Sequence, residues 1–282
     1  MPELPEVEVL VRHLRPCLEG CKIRHCEILR ERTVRPERPE TIRQRLCGLR
    51  VEEVRRRGKY IVIRLSGRGT GSASECLLHL GMTGRVWVEG MDRPLPAHAV
   101  MVWELDGRRL VFSDPRGFGW CGFDGSVLKR LGPEPLGRGF DAGVLARRLG
   151  RSRQAIKGRL LDQGVVAGLG NIYASESLWV ARISPFRQAR DLTSADCGRL
   201  VRAIRQVLRR AIRLGSSVPL DWAGTSADGL FYFGRKPGLE SAVQERFAVY
   251  DRAGERCFRC GEEIRRAVQA GRSTYYCPGC QG

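Results

Sequence analysis

The sequence has no apolar run of about 18 residues, the length that a membrane-spanning helix requires. It also lacks the basic start of a secretory signal peptide, because Glu3, Glu6 and Glu8 stand there instead. Acidic residues are scarce as well: 31 Asp and Glu face 49 Lys and Arg, a formal net charge of +18. These absences favour an intracellular, cytoplasmic protein with a polyanionic partner. Nucleic acid is the first candidate and an acidic membrane surface the second.

Lysine is rare among the basic residues. The lysines are Lys22, Lys59, Lys129, Lys157 and Lys236, and every other Lys or Arg position is arginine. A chain that uses arginine wherever a plain positive charge suffices retains lysine where an amine must be able to lose its proton. Chance retention is the alternative at each position.

Eleven cysteines form no regular disulfide framework. Seven are expected to remain thiols packed as small core residues: Cys17, Cys21, Cys26, Cys47, Cys76, Cys121 and Cys197. The other four make two CxxC pairs, Cys257 with Cys260 and Cys277 with Cys280, separated by 16 residues. This spacing predicts one structural zinc ion held by four thiolates, with a β-hairpin between the pairs. Two redox CxxC motifs or a pair of disulfides are the alternatives.

A chain of 282 residues favours at least two cores. Apolar residues at helical spacing predict a first helix that ends near Leu18, and short apolar runs from Ile23 to Val111 predict a β-sandwich or barrel. A linker-like composition at Leu131–Gly137 places a boundary near 136. Beyond it, periodicity predicts helices at Val144–Leu149, Gln154–Gln163, Ile172–Ala181 and Ala195–Leu214, the last capped by Thr193 or Ser194.

The predicted fold class is therefore α+β and multidomain. An N-terminal β-sandwich with flanking helices spans 1–136 and a helical domain with a long loop spans 137–240. A zinc-finger hairpin spans 241–282.

Two glycine-rich segments suggest contacts with nucleic acid. A turn at Gly168–Asn171 leads into a helix and can offer backbone N–H groups to a phosphate, with the Asn171 amide beside them. Asp114–Gly119 carries Arg116 and Phe118 two residues apart, on one face if the backbone is extended. Arginine and phenylalanine can fill the space left by a nucleotide that leaves the helix, and Met82 could assist. Ordinary turns with a buried Phe and a core Met are the plain alternative.

The N-terminus itself suggests chemistry. Removal of Met1 would leave Pro2 with a secondary amine next to the Glu3 carboxylate. An N-terminal amine has a pKa of about 7.7–8.0, so part of it is the free base near neutrality. Its condensation with an aldehyde carbon gives a cationic iminium that promotes elimination. A stiff start to the chain is the plain alternative.

Seven motifs occur together from Pro2 to Cys280: PELPE at 2–6, RGKY at 57–60, HLGMTG at 79–84, DPRGFG at 114–119, LGPEPL at 131–136, GLGNIYASESL at 168–178, and the zinc finger. In this order they resemble the bacterial formamidopyrimidine-DNA glycosylases, the Fpg or MutM branch of the Fpg/Nei family. The resemblance implies a monomeric, nucleoid-associated enzyme that flips an oxidised purine out of duplex DNA, removes the base and nicks the strand.

The resemblance also implies roles for particular residues. Pro2 is implied as the nucleophile at C1′, Glu3 as acid and base, and Lys59 as the proton donor in β-elimination. Arg272 is implied as the phosphate clamp in δ-elimination. Glu6 is implied as support of the N-terminal turn. Met82, Arg116 and Phe118 are implied to fill the void that the flipped nucleotide leaves. Contacts with DNA are implied for His98, Asn171 and Arg272. A helix-two-turn-helix around 155–180 would grip DNA together with the zinc finger.

The chain departs from the family pattern in three places. Gly117 stands where a second basic residue is usual, and Ser152 stands near a position where some members have lysine. The segment 215–240 only partly matches the usual lesion-capping loop. A Nei-type enzyme that prefers oxidised pyrimidines therefore remains an alternative, although Leu4 favours the Fpg branch. A DNA-binding protein without catalysis is the third hypothesis.

Overall fold

A computed structural model of the chain describes residues 2–67, 74–216 and 247–282. These residues fall into two compact units, one holding residue 2 and residues 6–129, the other holding 3–5, 130–216 and 247–282. Among the described residues, no helix has the length and apolar character to cross a bilayer. The expected connection at 67–74 and the expected capping loop lie largely outside the described residues.

The first unit contains two antiparallel four-stranded sheets, as a β-sandwich requires. One has the order β1-β6-β7-β5 and the other β2-β3-β4-β8. The strands are β1 (His25–Ile28), β2 (Arg50–Arg57), β3 (Tyr60–Ser66), β4 (Ser74–His79), β5 (Arg85–Gly90), β6 (Ala99–Glu104), β7 (Arg108–Ser113) and β8 (Trp120–Gly122). Helices α1 (Leu4–Leu18), α2 (Pro39–Leu46) and α3 (Ser126–Lys129) flank them.

The core of this unit combines apolar residues of both sheets with one face of α1. Leu10 and Leu14 of the helix are buried in the same cluster as Ile61 and Phe112 of the strands. Of the seven cysteines outside the CxxC pairs, four are buried free thiols and three are half-buried: Cys26, Cys76, Cys121 and Cys197, then Cys17, Cys21 and Cys47. The expectation that they pack as ordinary core thiols agrees with this burial.

The second unit is mainly helical, with α4 (Ala142–Leu149), α5 (Ile156–Leu161), α6 (Asn171–Ala181) and α7 (Ser194–Ser216). The predicted cap of α7 is correct for Thr193, whose Oγ1 accepts from the Asp196 amide at 3.1 Å while Asp196 Oδ2 accepts from the Thr193 amide at 2.9 Å. The helix continues to Ser216, so Gly215 is helical, and the expectation from the sequence that a loop starts there is wrong.

The chain ends in a hairpin of β9 (Arg265–Gln269) and β10 (Arg272–Tyr276) between the two CxxC pairs, as predicted. Its two-residue turn has positive φ at both positions, 47° at Ala270 and 72° at Gly271. This is the turn geometry that matches the twist of a tight hairpin. Arg272 is thereby the first residue after the turn, and it is exposed.

Candidate functional site

The N-terminal end of α6 is held by the carboxylate of Glu3. Glu3 is only 2% exposed, and its two oxygens accept from the backbone amides of Ile172 at 2.9 Å and Tyr173 at 3.3 Å. The first turn of a helix has unpaired N–H groups and a partial positive charge, both of which favour a carboxylate. The amide of Leu4 also donates to the Gly168 carbonyl at 3.0 Å. The residues after Pro2 are thus fixed at a helix end.

Two glycines make this contact possible. A Cβ at Gly168, where φ is +85°, would lie 2.7 Å from the Leu4 Cβ, and a Cβ at Gly170 would lie 2.3 Å from the Glu3 carboxyl carbon. Glu3 therefore occupies the amides of Ile172 and Tyr173 in the first turn of α6, so these two N–H groups are not free for a DNA phosphate. The glycine-rich turn pattern indicates an anion site, and it could not indicate Glu3 as an occupant because Glu3 is remote in sequence.

A buried lysine connects α5 to the zinc-finger hairpin. Lys157 is 1% exposed, and its ammonium donates to the Ser273 carbonyl at 2.7 Å and to Thr274 Oγ1 at 2.8 Å. Asn171 Nδ2 donates to the same Ser273 carbonyl at 3.0 Å. Lys157 and Asn171 therefore fix the backbone immediately after Arg272.

The pKa of Lys157 shows which charged groups lie near its ammonium. Burial and the positive charge of Arg272 lower the pKa of Lys157 to about 8, while the negative charge of Glu3 opposes the change. Burial also raises the pKa of Tyr250, against a hydrogen bond from the Asn171 side chain. Glu3, Asn171 and Arg272, predicted from distant parts of the sequence, thus lie around one lysine in the second unit.

Glu176 of α6 holds the segment that leads into the zinc finger. Its carboxylate accepts from three successive backbone amides, Ala248 at 2.7 Å, Val249 at 2.9 Å and Tyr250 at 2.9 Å. Burial raises the pKa of Glu176, and the three N–H groups act in the opposite direction. A buried carboxylate with three donors is well satisfied, so this contact anchors the start of the finger.

The four CxxC cysteines are close enough to bind one metal ion. Their sulfur atoms all lie within 4.8 Å of one another, with 3.8 Å between Cys257 and Cys280 and 3.3 Å between Cys260 and Cys277. A tetrahedral zinc with bonds of about 2.3 Å requires sulfurs about 3.8 Å apart, so these residues fit the predicted four-thiolate zinc site. The finger's own core is small, built on Val249, Ile264 and Tyr275, and needs such a crosslink.

In the first unit, Lys59 lies in the tight turn between β2 and β3 and is only 6% exposed. Burial and the charge of Lys59 lower the pKa of His79 to about 4, so this imidazole is neutral near pH 7. Its Nδ1 accepts from the Gly81 amide at 3.2 Å, which leaves the proton on Nε2. The His79 ring also contacts Tyr60, which pairs with it across β3 and β4. The turn therefore combines a buried amine with a neutral N–H donor.

The predicted void-filling residues are exposed. Met82 is 43% and Phe118 47% exposed, which excludes the plain reading of a core Met and a buried Phe. The Arg116 guanidinium lies 5.1 Å from the centre of the Phe118 ring. The spacing predicts an extended backbone at this segment. Instead the backbone forms a turn in which Gly117 has a φ of +66°. That left-handed conformation favours glycine at this position over a residue with a side chain.

Asp114 joins the two loops that carry these side chains. It is 1% exposed and accepts from Thr83 Oγ1 at 2.6 Å, from the Arg116 amide at 3.2 Å and from the Gly119 amide at 2.6 Å. A Cβ at Gly81 would lie 2.5 Å from the Phe118 carbonyl carbon, so the loops also touch through their backbones. The Met82 and Phe118 loops therefore form one surface.

The remaining predicted residues lie in the first unit. Pro2 and Glu6 are buried and His98 is exposed, with its carbonyl accepting from the Asp114 amide at 2.9 Å. Four residues with a structural part in the site had no assigned role: His79, Asp114, Lys157 and Glu176. Lys157 carried a signal in the scarcity of lysine, and the others stood inside recognised motifs whose individual side chains the pattern did not distinguish.

The fold and these groups define a class: a DNA-processing protein with a β-sandwich, a helix-two-turn-helix unit and a zinc finger. Family models match along the chain: the formamidopyrimidine-DNA glycosylase N-terminal domain at residues 1–121, the H2TH domain of the same enzymes at 131–220, and the zinc finger found in FPG and IleRS at 254–282.

The full-length comparisons agree. The formamidopyrimidine-DNA glycosylase of Ruegeria pomeroyi is 42% identical, and each chain is covered completely. The enzyme of that name from Thermus thermophilus is also 42% identical, over 100% of this chain and 99% of its own. A solved structure of MutM in complex with carbocyclic 8-oxo-G containing DNA has a TM-score of 0.85 at 34% identity, and covers 99% of both chains. Lactococcus lactis Fpg with abasic-site DNA gives 0.84 at 33%, with 99% of both chains covered. The chain belongs to the formamidopyrimidine-DNA glycosylase family.

Proposed function

We propose that this chain is a bifunctional DNA glycosylase and abasic-site lyase of base excision repair. It removes oxidised purines, 8-oxoguanine and formamidopyrimidines, from duplex DNA and then nicks the strand. The observation that carries the proposal is the placement of Glu3, a buried carboxylate fixed by two α6 amides and adjacent in the chain to Pro2. Full-length relatives bound to 8-oxo-G and abasic-site DNA support the choice of substrate.

The proposed reaction begins at the sugar. The free amine of Pro2 attacks C1′, the C1′–N bond to the base breaks, and the base leaves with the electron pair and takes up a proton. Glu3, held in one orientation by its two N–H donors, transfers protons at the sugar. The C1′–O4′ bond then breaks as O4′ takes up a proton, which opens the sugar and leaves a cationic iminium between C1′ and the Pro2 nitrogen. The iminium makes the C2′ proton acidic, and its loss expels the 3′ phosphate by β-elimination. A second elimination expels the 5′ phosphate, and water then releases Pro2.

Other predicted residues fit the later steps and the grip on DNA. Lys59 is a buried amine suited to proton transfer in β-elimination, next to the neutral imidazole of His79. Arg272, exposed on a hairpin that Lys157 and Asn171 hold, is suited to clamp the phosphate that departs in δ-elimination. Zinc bound to the four cysteines would stiffen this hairpin and takes no part in the chemistry.

The surface of Met82, Arg116 and Phe118 would fill the space that the flipped nucleotide leaves. Two exposed apolar side chains, with a guanidinium beside the Phe118 ring, can replace stacking and offer donors to the unpaired base. His98, also exposed, would contact the same DNA. Glu6 would support the N-terminal turn from α1.

We further propose that the enzyme acts as a monomer on the chromosome in the cytoplasm, with domains 1–136, 137–240 and 241–282. Mature protein must lack Met1, since a retained Met1 turns the Pro2 nitrogen into an amide. Each domain supplies named groups: the first supplies Pro2 and Lys59, the second Asn171, the third Arg272.

Borohydride trapping tests the nucleophile. Wild-type protein reduced in the presence of DNA with 8-oxoguanine opposite cytosine should form a covalent complex, and P2G should not. The matched variant K59M should still trap while nicking abasic DNA more slowly, because it keeps the amine of Pro2. Trapping by P2G, or by protein with an N-terminal extension, would exclude Pro2 as the nucleophile.

A lesion panel separates the two branches of the family. The same protein preparation is assayed on 8-oxoguanine, formamidopyrimidine and thymine glycol, with each opposite base. Oxidised purines should be removed faster than thymine glycol. Faster removal of thymine glycol would assign the chain to the Nei type.

A further inference from the structure

Helix α7 has a buried apolar face and a solvent face made almost entirely of arginine. The buried residues include Leu200, Ile204 and Leu208. The exposed arginines are Arg199, Arg202, Arg209, Arg210 and Arg213. At about 100° per residue these five lie within an arc of roughly 100°, so they form one stripe along the helix. We call it the α7 arginine stripe.

Three arginines of the stripe, Arg202, Arg209 and Arg210, have no acidic partner among the residues that the structure describes. Arg199 pairs with Asp196. No acidic residue occurs in α7 between 197 and 216, and the uncharged residue on the same face as the stripe is Gln206. A helix face that only needs to be solvated alternates its charges, because like charges three or four residues apart destabilise a helix by about 0.2–0.5 kcal/mol per pair.

The arrangement fits a linear polyanion. From Arg202 to Arg213 the stripe extends about 16 Å at 1.5 Å per residue. Duplex DNA carries about one phosphate charge per 1.7 Å of axis, or roughly ten charges over that length. Arginine also binds phosphate oxygens with two parallel hydrogen bonds, which makes it suited to this contact.

We propose that the α7 arginine stripe is a second DNA-binding surface, which binds the phosphate backbone of duplex DNA without regard to sequence or damage. The choice of DNA rests on the proposed function, because duplex DNA is the polyanion that such an enzyme meets. The stripe residues stand on α7, whereas Asn171 and Arg272 stand on α6 and β10. The stripe holds the enzyme on undamaged DNA and takes no part in base removal.

The test compares two triple variants of the full-length, zinc-bound protein. One removes unpaired stripe arginines, R202Q/R209Q/R210Q. The other removes three arginines that pair with carboxylates, R12Q/R24Q/R43Q, whose partners are Glu8, Asp106 and Glu40. Both lower the net charge by the same amount. Glutamine has nearly the helix propensity of arginine, and circular dichroism checks that both variants are folded.

Binding to an undamaged 30-base-pair duplex is measured as a function of salt concentration. The stripe variant should bind at least tenfold more weakly near 0.1 M salt and lose about 2.7 from the slope of log K against log salt, at about 0.9 per phosphate contact. The paired variant should retain the wild-type slope within about 0.9. Equal slopes in the two variants would overturn the proposal, since net charge alone would then explain the change.

Single-turnover excision at saturating enzyme separates this surface from the lesion site. The stripe variant should remove 8-oxoguanine at the wild-type rate and should trap with borohydride. A tenfold slower excision at saturation would overturn the claim of a separate surface. Failure of the wild-type protein to trap would instead contradict the proposed function. The comparison of duplex binding between the two variants would still test the stripe.

Discussion

Replacement of Lys157 by methionine tests whether a buried charge organises the end of the second unit that carries Asn171 and Arg272, the proposed phosphate contacts. Methionine keeps the unbranched shape and removes the ammonium, together with its bonds to the Ser273 carbonyl and to Thr274 Oγ1. Two bonds from a charged donor, at about 1.5 kcal/mol each, contribute about 3 kcal/mol. Burial opposes this, because the fall in pKa from 10.5 to about 8 corresponds to about 3 kcal/mol near pH 7. K157M should therefore be nearly as stable as wild type at pH 7.

The balance changes with pH. In the folded protein Lys157 loses its proton near pH 8, whereas in the unfolded chain it does so near 10.5. Between these values the unfolded state binds more protons, so the wild-type free energy of unfolding rises with pH. The rise amounts to about 2.5 kcal/mol at pH 10, and K157M cannot show it. The variant should therefore be destabilised relative to wild type at pH 10 but not at pH 7.

Urea unfolding of zinc-saturated protein at pH 7 and at pH 10 gives the difference in free energy of unfolding between wild type and K157M at each pH. K129M is the control, since Lys129 is exposed at the end of α3. The stability of K129M relative to wild type should be the same at pH 7 and at pH 10. Nicking of abasic DNA at pH 7 provides the second readout. K157M should nick about five- to tenfold more slowly, because the backbone after Arg272 loses one of its two donors. A stability difference that stays constant from pH 7 to pH 10 would refute the reasoning.

Two further substitutions probe the contact of Glu3 with α6 and the zinc finger. G170A should abolish base removal, because the new Cβ would lie 2.3 Å from the Glu3 carboxyl carbon. G158A should be active, because its new Cβ would meet nothing within 4 Å beyond its chain neighbours and its own helix backbone, and an active G170A would contradict the placement of Glu3. C277S should lose its zinc, measured by mass spectrometry of the native protein, and its affinity for DNA. C17S removes a thiol outside the cluster and should keep both, so zinc retained by C277S would argue against the four-thiolate site.

Elements with strong local signals could be predicted from the sequence. The helices beyond residue 136, the zinc hairpin and the alternating strands follow from periodicity and ligand spacing, which depend on neighbours in the chain. The partner of the α6 N-terminus could not be predicted in this way. Glu3 stands 169 residues before Ile172, and only the folded chain brings the carboxylate to those amides.

The loop at Asp114–Gly119 shows a second limit. Spacing placed Arg116 and Phe118 on one face of an extended segment, and the two side chains do lie together, but on a turn. The turn depends on Asp114, whose three hydrogen bonds to Thr83, Arg116 and Gly119 involve a second loop. Motif order points to these residues, whereas the hydrogen bonds that orient them form between segments that only the folded chain brings together.

The attachment of the zinc finger has a consequence for the continuity of the chain. Glu176 binds three amides at 248–250, Lys157 and Asn171 bind Ser273, and Gln281 Nε2 donates to the Ile183 carbonyl at 3.0 Å. The finger is thus joined to α5 and α6 without the peptide bonds that precede residue 247. A protease cut between 217 and 246 would break one polypeptide into two fragments that remain associated. The two fragments, expressed separately, should assemble into one zinc-bound particle.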